Sequence, residues 1–244
     1  MPSHAPAERL SALTEPWRTP KMNAYARSAI MDARQIIVQA GKDMFGRGLT
    51  VETWGNISVR DPGTGLIYLT PSGMPYNTLT PEDVVVLNPD GSIRQGSRKP
   101  SVERMMHVRI YQARPDVNAV LHTHPVASTV FAALRRPIPV IIDEQAAVIL
   151  GTCEVSAYAL PGTEELADNV VAALGKHNAC LIANHGTVCV GADMSACFKV
   201  STVLETAAKI YQKALAVGRP AVLDEENIAA QIDFAQHHYG QNAK

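Results

Sequence analysis

The sequence has no apolar run long enough to cross a membrane. A membrane-spanning helix needs about 18 or more consecutive apolar residues, and polar residues interrupt every apolar stretch of the 244-residue chain before that length. The N-terminus also lacks the basic and then apolar pattern of a secretory signal. We therefore expect a cytoplasmic protein that is not bound to a membrane.

An excess of charge of either sign is also absent. The chain carries 22 Lys and Arg residues against 23 Asp and Glu residues, and it contains no basic run. A nucleic-acid-binding surface needs concentrated positive charge to neutralise phosphates. Nucleic acid is therefore not an expected partner, and we expect a small-molecule substrate.

Cysteine is scarce, and its spacing excludes a disulfide scaffold. Four cysteines are too few for such a scaffold in a chain of this length, and they form no Cys-x-x-Cys pair. We expect them to be buried, reduced thiols. They are Cys153, Cys180, Cys189 and Cys197.

Length and composition favour one domain preceded by an arm. With 46% hydrophobic residues, the chain can bury a sizeable core. Residues 1–22 carry four prolines among small and polar residues, which excludes a sustained helix or strand there. We predict a flexible arm over residues 1–22 and a single domain over residues 23–244.

Hydrophobic periodicity and capping residues predict alternating helices and strands. Ser101 is predicted to cap the second helix, and Asp224 is predicted to cap the last. The predicted helices cover residues 23–46, 101–113, 126–134, 163–175 and 193–217, followed by one that starts after Asp224. The predicted strands cover residues 56–60, 66–69, 84–87, 120–124, 180–183 and 187–190. Short strands with tight turns, set among helices, indicate an α/β sandwich with helices on both faces of the sheet.

Two histidines stand two residues apart at the end of a predicted strand. Residues i and i+2 of a strand share a face, so His122 and His124 point the same way. His185 lies at another strand end beside Gly186, where the backbone can approach a ligand closely. A catalytic zinc site usually has three protein ligands and one open position. Taken alone, these histidines fit either a metal site or polar side chains satisfied by hydrogen bonds.

Five motifs, in order along the chain, carry a family resemblance. They are Gly55-Asn56-Ile57-Ser58, Leu69-Thr70-Pro71-Ser72-Gly73, Lys99-Pro100-Ser101-Val102-Glu103, His122-Thr123-His124-Pro125 and Asn184-His185-Gly186. Over about residues 26–217 the chain resembles the class II aldolase/adducin family. The resemblance implies a three-layer α/β/α sandwich around a largely antiparallel or mixed sheet, commonly assembled as a homotetramer with active sites between subunits. It also implies that His122, His124 and His185 bind Zn²⁺, or Mn²⁺, Co²⁺ or Fe²⁺ in its place.

The resemblance also implies roles for residues around the histidines. Glu103 matches the family's acid and would be the general acid or base, although taken alone it would be a glutamate that interacts with a helix N-terminus. Four residues fall where the family's sugar-phosphate aldolases bind phosphate. They are Asn56, Ser72, Gly73 and Ser101.

The chain departs from the family pattern at two positions and resembles it at a third, near the C-terminus. Val102 stands where the aldolases have a second serine, so one phosphate-binding hydroxyl is missing. Asp143 stands where a neighbouring subunit supplies a tyrosine, and a carboxyl group there could still transfer a proton, with a much lower pKa. Tyr239 resembles the C-terminal tyrosine that acts as acid or base in the family's 4-epimerases; the alternative is an anchor for the tail.

These residues lead to one principal hypothesis and three alternatives. The principal one is a divalent-metal-dependent carbon–carbon lyase that cleaves a small hydroxy-carbonyl compound, a sugar phosphate, through a metal-stabilised enediolate. A decarboxylase of an oxo-acid phosphate or dihydroxy-aromatic acid is the first alternative, because Val102 could form an apolar wall beside the leaving carboxylate. A 4-epimerase is the second. The third is a non-catalytic, adducin-like binding module, which the retained histidines and Glu103 disfavour.

Overall fold

Seven strands form one sheet in the computed structural model, which describes residues 32–241. Their order is β4-β3-β2-β1-β5-β7-β6, and each pair of neighbours is antiparallel. The strands are β1 (Asn56–Arg60), β2 (Ile67–Leu69), β3 (Val85–Leu87), β4 (Ile93–Gln95), β5 (Ala119–Thr123), β6 (Ala179–Ile182) and β7 (Gly186–Gly191). The predicted arm at 1–22 and the predicted helical residues 23–31 lie outside the described residues.

Seven α-helices accompany these strands between residues 32 and 241, together with a 3₁₀ turn at Pro81–Asp83. The helices are α1 (Ala33–Gly46), α2 (Arg104–Ala113), α3 (Val126–Leu134), α4 (Asp143–Ile149), α5 (Glu164–Leu174), α6 (Met194–Val217) and α7 (Glu225–His237). No helix in this part of the chain is both long and apolar enough to cross a membrane.

Two hydrophobic clusters, one on each face of the sheet, create three layers. Alternation along β5 sends Leu121 into the cluster that contains α1, α3 and α6 residues, and it sends Val120 into the cluster that contains α2 and α5 residues. Cys189 and Val190 of β7 divide between the two clusters in the same way. The predicted α/β/α sandwich is confirmed, with an antiparallel sheet.

Side-chain caps start three helices where the sequence predicts that a helix begins. Thr163, Asp193 and Asp224 each accept a hydrogen bond from a backbone N–H in the first turn of α5, α6 and α7. The prediction that Ser101 is the N-cap of α2 is wrong, because the N-cap residue is Glu103. The Ser101 hydroxyl oxygen instead accepts from the Glu103 N–H at 3.2 Å, which orders the turn before the helix.

Sequence patterns miss two short elements. Strand β4 has three exposed residues at the sheet edge, so it lacks the apolar alternation that marks a half-buried strand. Helix α4 is only seven residues long and follows a proline-rich passage. Both elements are too short for the hydrophobic residues to show a helical or strand period.

Strand pairing brings the predicted site residues to one end of the sheet. Asn56 of β1 lies opposite His122 of β5, and Thr123 lies opposite Thr187 of β7. The turn that carries His185 joins β6 to β7 and therefore lies beside the end of β5.

Candidate functional site

The three predicted histidines converge. Their ring centroids are 4.8, 4.8 and 4.9 Å apart, so they form a nearly equilateral triangle, and one ligand nitrogen from each lies within 4.8 Å of the others. We call His122, His124 and His185 the histidine triad. His122 is fully buried, whereas His124 and His185 are partly exposed. The triad is therefore buried on the side of His122 and open to solvent on the side of His124 and His185.

The backbone at Gly186 makes room for this convergence. A Cβ atom there would lie 2.5 Å from the Thr123 carbonyl oxygen and 2.9 Å from the His124 ring. On the other side, the His124 N–H donates to the Leu49 carbonyl at 2.8 Å. His124 is thus held after β5 by one backbone bond and by the absence of a side chain at Gly186.

The hydrogen bond of His122 fixes which ring nitrogen faces the triad. Its Nδ1 lies 2.9 Å from the Thr187 carbonyl oxygen. Because a carbonyl only accepts hydrogen bonds, Nδ1 carries the hydrogen and Nε2 points at the triad. The His122 Nε2 is 3.1 Å from the His124 Nε2. This orientation is the usual one for a metal-ligating histidine, whose other nitrogen donates to a carbonyl or carboxylate.

Glu103 extends its carboxylate into the same space. Its Oε2 lies 3.3 Å from His122 Nε2, and its Oε1 lies 3.7 Å from His185 Nε2. The Asn56 side-chain amide donates to Oε2 at 2.7 Å. Oε1 is buried and has no hydrogen-bond partner among the described residues, and neither has His185 Nδ1. Three imidazole nitrogens with a carboxylate beside them fit a divalent cation of the zinc type.

Glu103 and the histidine triad shift one another's pKa values. Burial raises the pKa of Glu103, but His122, His185 and the Asn56 hydrogen bond outweigh it and hold that pKa well below its usual range. Burial and then the charge of His122 lower the pKa of His124 to about 3 and that of His185 to about 4. Burial opposes the charge on His122 as well, but the Glu103 carboxylate raises its pKa overall. Near neutral pH, Glu103 is therefore an anion, and His124 and His185 are neutral and able to ligate a metal.

Two adjacent loops carry three of the four residues predicted to bind phosphate. The Ser72 N–H donates to the Lys99 carbonyl at 3.0 Å, and the Ser101 N–H donates to the Thr70 carbonyl at 3.2 Å. Ser101 is buried, while Ser72 and Gly73 are exposed. The fourth residue, Asn56, bonds to Glu103 through its side-chain amide.

Asp143 and Tyr239 lie on elements that pack against each other. Asp143 is the first residue of α4, and Tyr239 follows α7, which packs against α4. Both side chains are exposed, and the Tyr239 ring lies 6.3 Å from the Phe234 ring. Within residues 32–241 of one chain, neither forms a hydrogen bond or ion pair with the triad or Glu103. Their catalytic roles stay predictions.

Sequence reasoning missed two residues beside the site. The Trp54 ring is 60% exposed and lies 6.1 Å from the His124 ring. His107 is fully buried and contacts Asn56. A signal for His107 was available, because residues four apart on a helix share a face and His107 is four residues after Glu103. Trp54 lies in a loop and has no comparable signal.

Comparisons with known proteins find one family and similar proteins over most of the chain. The family described as Class II Aldolase and Adducin N-terminal domain matches residues 35–212. The 5-deoxy-D-ribulose 1-phosphate aldolase of Bacillus thuringiensis serovar kurstaki is 36% identical over 211 residues, which are 85% of this chain and 97% of that protein. The 5-methylthioribulose-1-phosphate/5-deoxyribulose-1-phosphate aldolase of Rhodospirillum rubrum is 37% identical over 211 residues, covering 86% and 94%.

A solved structure gives the same result in three dimensions. An L-fuculose 1-phosphate aldolase superposes with a TM-score of 0.82 and 35% identity, covering 84% of this chain and 96% of that one. The match spans nearly the whole of the solved chain. It covers most of this chain as well.

Proposed function

Because the chain belongs to the class II aldolase and adducin family and is an enzyme of the class II aldolase type, we propose that it is a metal-dependent lyase that cleaves a ketose 1-phosphate into dihydroxyacetone phosphate and an aldehyde. The observation that carries this proposal is the convergence of three imidazoles with one anionic carboxylate. The relatives named above are all aldolases of ketose 1-phosphates by name.

His122, His124 and His185 would hold the divalent cation. When bound, such an ion supplies positive charge that stabilises the enediolate left by carbon–carbon cleavage. The protein's contribution is to orient the three imidazoles. Thr187 does so for His122, and the Leu49 carbonyl does so for His124.

Glu103 would move the proton. Aldol cleavage removes a proton from the hydroxyl group of the departing carbon, which becomes an aldehyde. The electron pair of the broken bond passes to the remaining fragment, which then takes up a proton at carbon. Glu103 is anionic and can accept the first proton and deliver the second. Its Oε1 is available for this transfer because Oε2 already accepts from Asn56.

The loops that carry Ser72, Gly73 and Ser101 would bind the phosphate group. The Ser72 and Ser101 N–H groups already donate to backbone carbonyls, so the serine hydroxyls and the remaining loop N–H groups would be the donors to the anion. The Val102 side chain, 60% exposed, offers no hydroxyl. The phosphate group would therefore accept hydrogen bonds from fewer hydroxyls than in the family pattern.

The assembly would be a homotetramer in which a neighbouring copy completes each site. Asp143 and Tyr239 support this, because both are exposed, both lie on the packed α4–α7 pair, and neither reaches the triad of its own chain. In this arrangement α4 and α7 of one copy present Asp143 and Tyr239 to the triad of the next, where Asp143 would relay the hydroxyl proton of the departing carbon to Glu103.

The four cysteines support a reducing compartment such as the cytoplasm. All four are buried and free. Burial raises the pKa of each thiol, so each stays protonated and unreactive. Immunoblots of cell fractions test this location.

Metal analysis followed by two substrate panels tests the function. We expect about one zinc per chain after reconstitution, the stoichiometry of a three-histidine catalytic site. We also expect dihydroxyacetone phosphate from 5-deoxyribulose 1-phosphate or fuculose 1-phosphate, and no carbon dioxide from dihydroxy-aromatic acids. Carbon dioxide from the second panel alone would make the protein a decarboxylase. Zinc near zero and no turnover would indicate a binding module.

A further inference from the structure

A line of buried polar side chains leads from Glu103 into the protein core. The Asn56 amide nitrogen contacts Glu103 Oε2 at 2.7 Å, and Asn56 Oδ1 contacts His107 Nε2. On the far side of the His107 ring, Nδ1 lies 2.6 Å from the Ser58 hydroxyl, which lies 2.8 Å from the Tyr111 hydroxyl. All five residues are at most 5% exposed. We call them the buried polar chain.

The hydrogen of each hydrogen bond in the buried polar chain can be assigned by starting at Glu103. Glu103 is anionic and can only accept, so Asn56 presents its NH₂ group to the carboxylate and its carbonyl oxygen to His107. A carbonyl can only accept, so His107 carries its hydrogen on Nε2. Burial lowers the pKa of His107 to about 3, so the ring is neutral and Nδ1 is an acceptor. Ser58 then donates to Nδ1 and accepts from Tyr111.

The opposite assignment is excluded by the carboxylate. If His107 carried its hydrogen on Nδ1, its Nε2 would need a donor, and the Asn56 amide would have to turn its NH₂ group toward the ring. The Asn56 carbonyl oxygen would then face Glu103 Oε2 at 2.7 Å, which places two acceptors in contact. One tautomer of His107 is therefore tied to one orientation of Asn56.

This orientation matters because the Asn56 amide gives the Glu103 carboxylate its shortest hydrogen bond among the described residues. The Asn56 amide donates to Glu103 Oε2 at 2.7 Å. The nearest triad nitrogens lie 3.3 and 3.7 Å from the carboxylate oxygens, and Oε1 has no hydrogen-bond partner among the described residues. A turned Asn56 would repel the carboxylate from the triad. An amide is nearly symmetric in shape, so packing alone does not choose between its two orientations.

We propose that His107 is a positioning residue, whose Nε2–H holds the Asn56 amide so that Glu103 stays aimed at the triad. The effect on catalysis rests on the proposed function of Glu103 in proton transfer. The tautomer of His107 and the orientation of the Asn56 amide do not depend on that proposed function. The competing interpretation is a buried histidine that only fills space in the core.

The test compares three variants of the zinc-reconstituted protein. His107→Leu keeps the approximate volume and removes both hydrogen bonds. His107→Gln keeps one donor and one acceptor about as far apart as the two ring nitrogens. Val108→Ala is the matched control, because Val108 is also fully buried on α2 but belongs to the apolar cluster under the sheet.

The first measurement is the ¹⁵N spectrum of the His107 ring in the wild-type protein, which needs no substrate. We expect a protonated Nε2 and an unprotonated Nδ1 from pH 5 to 8. A hydrogen on Nδ1, or a doubly protonated ring, would overturn the proposal whatever the enzyme's substrate.

The second measurement is the exchange of a carbon-bound hydrogen of dihydroxyacetone phosphate with deuterated solvent, which reports proton transfer without any aldehyde. We expect His107→Leu to lower the exchange rate about 10- to 100-fold at unchanged zinc content, the range found for groups that orient a ligand. His107→Gln should restore most of the rate, and Val108→Ala should stay within about twofold of wild type. Equal rates in His107→Leu and Val108→Ala would make His107 a packing residue. No exchange in wild type would instead contradict the proposed function, and the spectrum would still decide the tautomer.

Discussion

At the scale of single residues, the triad can be tested by removing one imidazole. His124→Ala should abolish zinc binding and activity, because two imidazoles leave a site with too few ligands. The fold should persist, since His124 lies beyond the end of β5 and on the open side of the triad. Zinc content by atomic emission, activity and circular dichroism measure the three outcomes.

His177→Ala is the matched control for this change. His177 lies in the turn after α5 and belongs to no group of potential metal ligands in the described part of the chain. The control should keep full zinc content. Unchanged zinc content in His124→Ala would falsify the ligand assignment.

Glu103→Gln separates metal binding from proton transfer. The amide oxygen can still accept from Asn56, but the side chain can no longer take up a proton near neutral pH. We expect zinc content to stay at the wild-type level and turnover to fall at least about a hundredfold, the usual contribution of a general acid or base. Steady-state rates at equal zinc occupancy measure this, and a variant with near-wild-type turnover would remove Glu103 from the mechanism.

The sequence predicts which two histidines point the same way better than it predicts the contacts around them. The spacing of His122 and His124 indicates a shared direction, and the structure confirms it. The bond between Asn56 and His107 joins residues 51 positions apart, so it depends on β1 lying above α2. The spacing of four residues places His107 on the same helix face as Glu103, but neither periodicity nor spacing predicts its bond to Asn56.

At the scale of elements, α3 links the two loops that carry exposed triad members. It begins two residues after His124, and at its other end the Ala132 carbonyl accepts from the Asn184 N–H at 3.0 Å, directly before His185. Arg135, which follows α3, donates to the Asn184 side chain at 2.9 Å. A displacement of α3 would therefore move both histidines.

A buried carboxylate from α6 caps the start of α3. Glu205 accepts from the Ala127 and Ser128 N–H groups at 3.0 and 2.9 Å and from the Ser128 hydroxyl at 2.8 Å. Pro125 correctly predicts where α3 begins, but a cap supplied from 77 positions away cannot be read from local sequence. Tertiary contacts, not the helix's own residues, complete this helix.

Glu205→Ala should destabilise the fold by about 2 kcal/mol, since it leaves two buried N–H groups without acceptors at a helix N-terminus. Urea unfolding of the metal-free protein measures the change. The control is Glu226→Ala in the exposed first turn of α7, which should change stability by less than about 0.5 kcal/mol. A loss in Glu205→Ala no larger than in that control would show that the cap contributes nothing to the stability of α3.

At the scale of the whole molecule, the layers follow from the sequence but the strand order does not. Helices set among short strands predict a covered sheet, and two apolar clusters on its faces confirm it. The central pairing of β1 with β5 joins segments separated by three strands and a helix. Local patterns cannot specify such a partner, yet this pairing places Asn56 opposite His122.

Assembly provides the last prediction, because the proposed tetramer divides each active site between two copies. His124→Ala would inactivate the copy that holds the triad, and Asp143→Asn would inactivate the copy that presents α4. Each variant alone should have little activity. When both are unfolded together and refolded as a mixture, some sites combine an intact triad with an intact Asp143 from the neighbour.

Random mixing of equal amounts should restore about a quarter of the wild-type activity, since each of the two contributions is intact with a probability of about one half in a closed ring. Light scattering would show whether the mixture has the mass of four chains. His124→Ala mixed with Glu103→Gln is the control, because both changes affect the same copy's triad region and no hybrid site is complete. A monomeric mass, or equal activity in the two mixtures, would contradict a site shared between copies. Full activity of Asp143→Asn alone would remove Asp143 from the mechanism.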